Sequence, residues 1–258
     1  MARRLRFTIA YDGTAYHGWQ VQPGLPTIQG VIEAAMGEIE GKAVSVASSG
    51  RTDAGVHALA QVAACDLDNP IPAANLLKAL NRLLPADIRV LGVSEAALDF
   101  HPRFQAVAKT YEYRIWRGEV CPPFDRHYVY HHPYVFGERE FIEAAGVYRG
   151  VHDFSAFAAA DEKDALGASK VREVFSSEAW RSGERLIYRV RGSGFLKHMV
   201  RNLVGGLMEV GRGNMTAADL AGLLEPGCGR KLGHAVPARG LLLLSVEYPE
   251  AATPGSES

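Results

Sequence analysis

Cysteine is nearly absent from this chain. Cys65, Cys121 and Cys228 are odd in number and far apart, and no C-x-x-C occurs. That argues against a disulfide framework and a zinc knuckle and fits a reducing compartment. An excess of charge of either sign is also missing, with 28 Lys and Arg against 29 Asp and Glu. A polyanionic partner would therefore have to be met by a local basic patch. Long apolar runs are lacking, so no membrane span or membrane partner is expected. Arg3-Arg4 opens like the charged end of a signal peptide, but the apolar run behind it is broken by Thr8 and ends at Asp12, too short for a signal core. The cytoplasm is the expected location. No Walker loop, G-x-S-x-G, H-E-x-x-H or helix-opening G-x-G-x-x-G is found, which removes the common nucleotide, esterase and zinc-protease signatures. His131-His132 is not a spaced ligand pair and His152-Asp153 alone is weak, so no metal is expected.

What is present reads as a globular chain of 258 residues, 47% hydrophobic and 22% charged, enough for one large domain or two ordinary ones. Arg4 to Tyr11 alternates as a half-buried strand does. Thr27 is placed to cap a helix running to about Ile39 and stopped by Gly41. Strands follow at Ala43–Ala47 and Leu59–Asp66, a helix from Pro72 to Leu83, and a strand at Ile88–Val93. Strand, helix, strand, strand, helix, strand is the order of a ferredoxin-like unit. The second half repeats it: a strand at Val107–Trp116, a Pro- and His-rich connection from Cys121 to Pro133, and a helix at Glu138–Tyr148. A polar loop at Ala158–Ser169 and a hairpin of Val171–Trp180 with Arg185–Val190 come next. Helices at Phe195–Val210 and Ala217–Leu224 and a strand at Leu241–Glu247 close the unit. The expected fold class is α+β, two ferredoxin-like βαββαβ units joined into an extended mixed sheet. The units span 1–105 and 106–248, and a disordered tail spans 249–258.

Three stretches can carry chemistry. Ser48 to Ala58 (SSGRTDAGVHA) is too long and too polar for a minimal turn between its strands. Gly50 and Gly55 let it bend on both sides of Asp53, with Arg51 and His57 nearby. Taken alone, R-T-D is a turn whose aspartate bonds its own backbone. Lys109 to Tyr113 puts Tyr111 and Tyr113 on one face of a strand, either as sheet packing or as a platform for a stacked base. The helix from Phe195 sets Lys197 and Arg201 four apart on a face other than its apolar stripe. Its Gly205-Gly206 pair demands that something pack close. Arg103, Lys109, Lys197 and Arg212 are candidate phosphate contacts. A lone carboxylate with basic and aromatic helpers is the only chemistry on offer.

Several motifs resemble, in order, the tRNA pseudouridine synthase A family. They are Tyr11-Asp12-Gly13-Thr14, Gly18-Trp19-Gln20, Thr27-Ile28-Gln29-Gly30 and Gly50-Arg51-Thr52-Asp53-Ala54-Gly55-Val56-His57-Ala58. Phe100-His101-Pro102-Arg103-Phe104, Lys109-Thr110-Tyr111, His152 to Phe157 and Gly194 to Asn202 continue the match. The resemblance implies isomerisation of uridine to pseudouridine at positions 38, 39 and 40 of the tRNA anticodon stem-loop. It also implies a homodimer and no cofactor or metal. By the same resemblance Asp53 is the catalytic aspartate, Tyr111 stacks on the base, Arg201 pairs with the aspartate, and Arg51 assists base flipping. Where the family usually has A-P-P-x-G-L, this chain has Val236-Pro237-Ala238-Arg239-Gly240-Leu241. Asp53 could attack the anomeric carbon or abstract a proton from C2′ to give a glycal, and the residues do not choose between these routes. An RNA-binding module without catalysis and a small-molecule lyase are the competing readings. The first lacks an RNP1 pattern and the second lacks a cofactor or phosphate site.

Overall fold

The computed structural model describes residues 2–160, 168–233 and 235–249. The first strand, β1 (Arg3–Tyr11), alternates as expected and buries Leu5, Phe7, Ile9 and Tyr11. Helix α1 (Ile28–Glu40) starts where the Thr27 hydroxyl accepts the Gly30 amide and stops at Gly41, whose φ is 76°. Strands β2 (Ala47–Ser48) and β3 (His57–Leu67), helix α2 (Ala73–Leu83) and strand β4 (Ile88–Glu95) complete the first unit. Its lateral order is β4-β1-β3, with β2 on the far flank of β3. All three pairings are antiparallel, which is the ferredoxin-like arrangement.

The second unit begins with β5 (Ala108–Trp116) and the short β6 (Tyr130–His131). Helix α3 (Glu138–Ala144) tightens into a 3₁₀ turn at Ala145–Tyr148 and is followed by β7 (Gly150–Asp153). The hairpin β8 (Val171–Ser182) and β9 (Arg185–Gly192) leads into α4 (Met199–Gly211), α5 (Ala217–Gly222) and β10 (Leu241–Glu247). The order β10-β5-β9-β8 repeats that of the first unit, and β7 extends the edge beyond β8. The two units share one ten-stranded mixed sheet, so the expected fold class is the observed one. The expected boundary near 105 falls between β4 and β5. Beyond Pro249 the expected tail lies outside the described residues, as do residues 161–167 of the polar loop.

The seam between units decides where the site lies. At its start β3 pairs in parallel with β10, His57 beside Leu242 and Ala58 beside Leu243. On its other side β10 pairs antiparallel with β5, Leu243 beside Tyr111 and Leu241 beside Tyr113. One lateral row therefore runs Ala58, Leu243, Tyr111, two strand spacings or roughly 10 Å. The loop carrying Asp53 rises from the first unit directly beside the second.

Three expectations need correction. The strand at Ala43–Ala47 contracts to Ala47–Ser48 because the backbone of Val46 bonds to helix α1 instead. Its amide donates to Glu33 Oε1 at 2.9 Å and its carbonyl accepts from Gln29 Nε2 at 3.2 Å. Helix α4 begins at Met199, not Phe195, because His198 adopts a left-handed conformation. Lys197 is thus outside the helix and shares no helical face with Arg201. Strand β7 has no counterpart in the sequence expectations, being only four residues added at an edge. The demand for close packing at the glycine pair is met at Gly206, where a Cβ would lie 2.7 Å from the Tyr148 hydroxyl and from Leu220.

Candidate active site

The loop between β2 and β3 is held from below and from the side. The Ser49 hydroxyl donates to Gln61 Oε1 at 2.5 Å, and Gln61 Nε2 donates to the Gly50 carbonyl at 3.0 Å. Lys109 Nζ donates to the Ser49 carbonyl at 2.6 Å. Burial, with a smaller effect of Arg103, pulls this amine down to about 8. It is an internal brace and not the rim phosphate contact expected of it. Thr52 is buried against Tyr11, hydroxyl to hydroxyl at 2.9 Å. Burial pushes the Tyr11 phenol up to about 12, against the opposing hydrogen bonds of Thr52 and Gln61.

The segments Asp12-Gly13 and Gly18-Trp19 clamp the loop from the side. A Cβ on Gly13 would sit 2.0 Å from the Val56 carbonyl oxygen, and one on Gly18 would sit 2.5 Å from that of Thr52. The Trp19 amide donates to the same Thr52 oxygen at 3.0 Å. His57 closes the base of the loop. Its Nδ1 accepts from the Gly13 amide at 3.1 Å, and Nε2 lies 2.9 Å from the His127 carbonyl. His57 is therefore a structural buttress of the loop, with no contact to Asp53 among its hydrogen bonds.

Asp53 itself keeps 27% of its side chain exposed, and its Oδ2 receives Arg201 Nη1 from α4 at 3.0 Å. His198 Nε2 lies 3.5 Å from the same oxygen. Oδ1 has no hydrogen-bond partner among the described residues. Arg201 is fixed in turn by its Nε donating to the Val236 carbonyl at 2.8 Å. Tyr113 donates its hydroxyl to the Pro237 carbonyl at 2.7 Å. The segment that departs from the family pattern thus supports the site through backbone carbonyls, which side-chain differences leave intact.

Tyr111 is buried on β5 and meets Phe195 edge-on, ring centroids 5.1 Å apart. Burial raises its phenol well above the ordinary range, and the nearby Tyr11 and Asp53 raise it further. Arg51 is exposed and has no hydrogen-bond or ion-pair partner among the described residues. The structure therefore brings together Asp53, Arg201 and Tyr111 and leaves Arg51 facing solvent. Of the other cations, Arg103 and Lys197 are exposed, and Arg212 is paired with Glu209 at 2.5 Å.

Sequence reasoning named His198 only as part of a helix. Its signal was its place in the Gly194–Asn202 block, three residues before Arg201, a spacing that puts neighbours on one face of a helix. Among the described residues no group of three or more His, Cys, Asp or Glu is placed to hold a metal ion. No helix there is long and apolar enough to cross a membrane.

A carboxylate with one oxygen held by an arginine and the other unpartnered, beside a buried tyrosine, can act as nucleophile or base on a nucleoside. Comparison with known proteins identifies the family. A family model described as tRNA pseudouridine synthase matches residues 8–105 and 144–249. The tRNA pseudouridine synthase A of Solibacter usitatus is 60% identical over 246 residues, spanning 95% of this chain and 100% of the relative. That of Anoxybacillus flavithermus is 44% identical, spanning 95% and 99%. That of Geobacillus kaustophilus is 42% identical, spanning 97% and 96%. On the motifs, the fold and these matches, this chain belongs to the tRNA pseudouridine synthase family.

Proposed function

We propose that this enzyme converts uridine to pseudouridine at positions 38, 39 and 40 of the tRNA anticodon stem-loop, with Asp53 as the reacting group and no cofactor. The observation that carries the reading is the pair of Asp53 Oδ2 with Arg201 Nη1 at 3.0 Å across the seam of the two units. Uridine holds its base through a C–N bond and pseudouridine through a C–C bond. The base must detach, turn, and rejoin through carbon 5 without leaving. Asp53 Oδ1 either attacks the anomeric carbon or takes a proton from C2′, and both routes need an ionised carboxylate in a site closed by the base. Arg201 supplies the compensating charge that such a site requires. Tyr111 stacks on the freed uracil, and its hydroxyl serves in the final loss of the carbon 5 proton.

Reaching a paired uridine requires flipping it out of the stem. Arg51, exposed and without a partner among the described residues, fits the role of entering the space the base vacates. A single subunit offers little surface to orient an L-shaped tRNA, so the active unit is a homodimer with the tRNA spanning both copies. Its place of work is the cytoplasm, where tRNA matures. Release of tritium from tRNA carrying 5-tritiated uridine at 38–40 tests the reading. Release from those positions supports it. Binding of tRNA without release would instead favour a non-catalytic RNA-binding module.

A further inference from the structure

His198 is the only non-glycine residue among the described residues with a positive φ, at 59° with ψ near 0°. For a residue with a Cβ this conformation is disfavoured, and it persists only where the surroundings impose it. Part of its origin is local: Leu196–Met199 is a turn closed by the Met199 amide on the Leu196 carbonyl at 3.1 Å, and His198 holds the third position, which glycine or asparagine usually fills when φ is positive. N-cap residues are ordinarily extended and cap with a side-chain oxygen, whereas His198 makes no side-chain capping bond. Its carbonyl accepts the Asn202 amide at 3.0 Å, a service any residue could provide. The residue that fills this position is a histidine, and its ring lies against Asp53, with Nε2 3.5 Å from Oδ2.

Arg201 contacts the same oxygen from the more buried side: its side chain is 16% exposed, against 33% for His198. The two side chains flank one carboxylate oxygen and leave the other unpartnered. A carboxylate held by a single contact can still rotate about its Cβ–Cγ bond. A second contact on the same oxygen restricts that rotation and decides which oxygen stays available. The backbone strain thus has a counterpart in the site, which is where such strain is commonly found.

We infer that His198 is a positioning residue for Asp53: its ring and the Arg201 guanidinium flank Oδ2, fixing the carboxylate so that Oδ1 is the oxygen that reacts. The inference rests on the reading of Asp53 as the reacting group.

Two substitutions separate this role from a purely structural one. His198→Gly and His198→Asn both suit a left-handed backbone, so the start of α4 survives in each. Neither carries a ring to Oδ2. Both variants should keep a melting temperature close to that of the wild type. Single-turnover tritium release at saturating enzyme should fall roughly 10- to 100-fold, the scale of loss when a reacting group is misplaced by up to about 1 Å. KM and tRNA affinity should not change. His198→Gln, whose amide N–H can span the gap, should recover part of the rate even if its strained backbone makes it less stable. Wild-type rates in both the Gly and Asn variants would overturn the inference and leave His198 a chain-shaping residue. So would a loss confined to KM and tRNA affinity, which would make it an RNA contact. Failure of the underlying reading looks different: an Asp53→Asn protein that still releases tritium.

Discussion

Gly18 gives the sharpest structural prediction. Its φ is 84°, and a Cβ there would lie 2.5 Å from the Thr52 carbonyl oxygen, next to Asp53. Gly18→Ala therefore meets two obstacles. The left-handed conformation costs a residue with a Cβ about 1–2 kcal/mol. The clash adds to it, because the obstructing atom is backbone and cannot rotate aside. Ordinary contact starts near 3.4 Å, so the two segments must part by about 0.5–1 Å, a displacement that can lower turnover by up to ~10²-fold when it moves a reacting group. Gly24 is the control: its φ is 72°, and a Cβ added there would have nothing within 4 Å. Gly24→Ala should lose a few degrees of melting temperature, following ~2–4 °C per kcal/mol for a chain of this size, and keep its turnover. Gly18→Ala should lose more stability and most of its tritium release, with tRNA affinity largely kept. Thermal unfolding and single-turnover release measure both. Equal turnover in the two variants would refute the claim that Gly18 sets the position of the Asp53 loop.

Arg201→Met leaves Asp53 without its 3.0 Å partner, and turnover should drop on the order of 10²-fold while tRNA affinity changes little; an unchanged rate would reduce Arg201 to a helix-face charge. Lys109, held at about 8 by burial, sits below the ordinary lysine value of roughly 10.4, so between those values the unfolded chain binds the proton more readily than the fold. Raising the pH from 7 to 9 should therefore stabilise the wild type relative to Lys109→Met. The comparison with the variant cancels Cys65, whose burial raises its thiol to about 12 and acts in the opposite sense; parallel urea midpoints for the two proteins would contradict it. His132 is held down to about 4 by burial, with Arg117, Arg212 and His131 adding to it, and its Nε2 has no hydrogen-bond partner among the described residues. As the pH falls from about 6.5 to 4 the unfolded chain takes the proton first, so the wild type should lose stability relative to His132→Phe, and equal acid sensitivity would count against this.

Much of this was legible from local sequence, and the exceptions share a cause. Thr27 and Gly41 marked the ends of α1 because caps act within a turn of themselves. The β8–β9 hairpin was readable for the same reason, with Gly183 at its tip. By contrast, β3 begins at His57, two residues before the alternation suggested, because those residues pair with Leu242 and Leu243 far along the chain. The lost strand at Ala43–Val46 depends on where the Gln29 and Glu33 side chains reach. Lys109 looked like a surface cation, and only the packed structure shows its amine under the Ser49 carbonyl. The pairing of Asp53 with Arg201 was implied by family resemblance alone, since it joins residues 148 positions apart. The left-handed turn at His198 left no mark in a stretch with helical periodicity.

The central claim is that Asp53 does the chemistry, and Asp53→Asn tests it most directly. Asparagine is close to aspartate in shape and keeps the loop's folding requirements, but it cannot supply the anionic oxygen that either route needs. Affinity for tRNA comes mainly from phosphate and shape contacts, to which one carboxylate adds little. Tritium release and tRNA binding should be measured on the same preparation, with mass spectrometry to exclude deamidation back to aspartate. The account predicts release at background with near-wild-type binding. Wild-type release by a verified Asp53→Asn protein would contradict it.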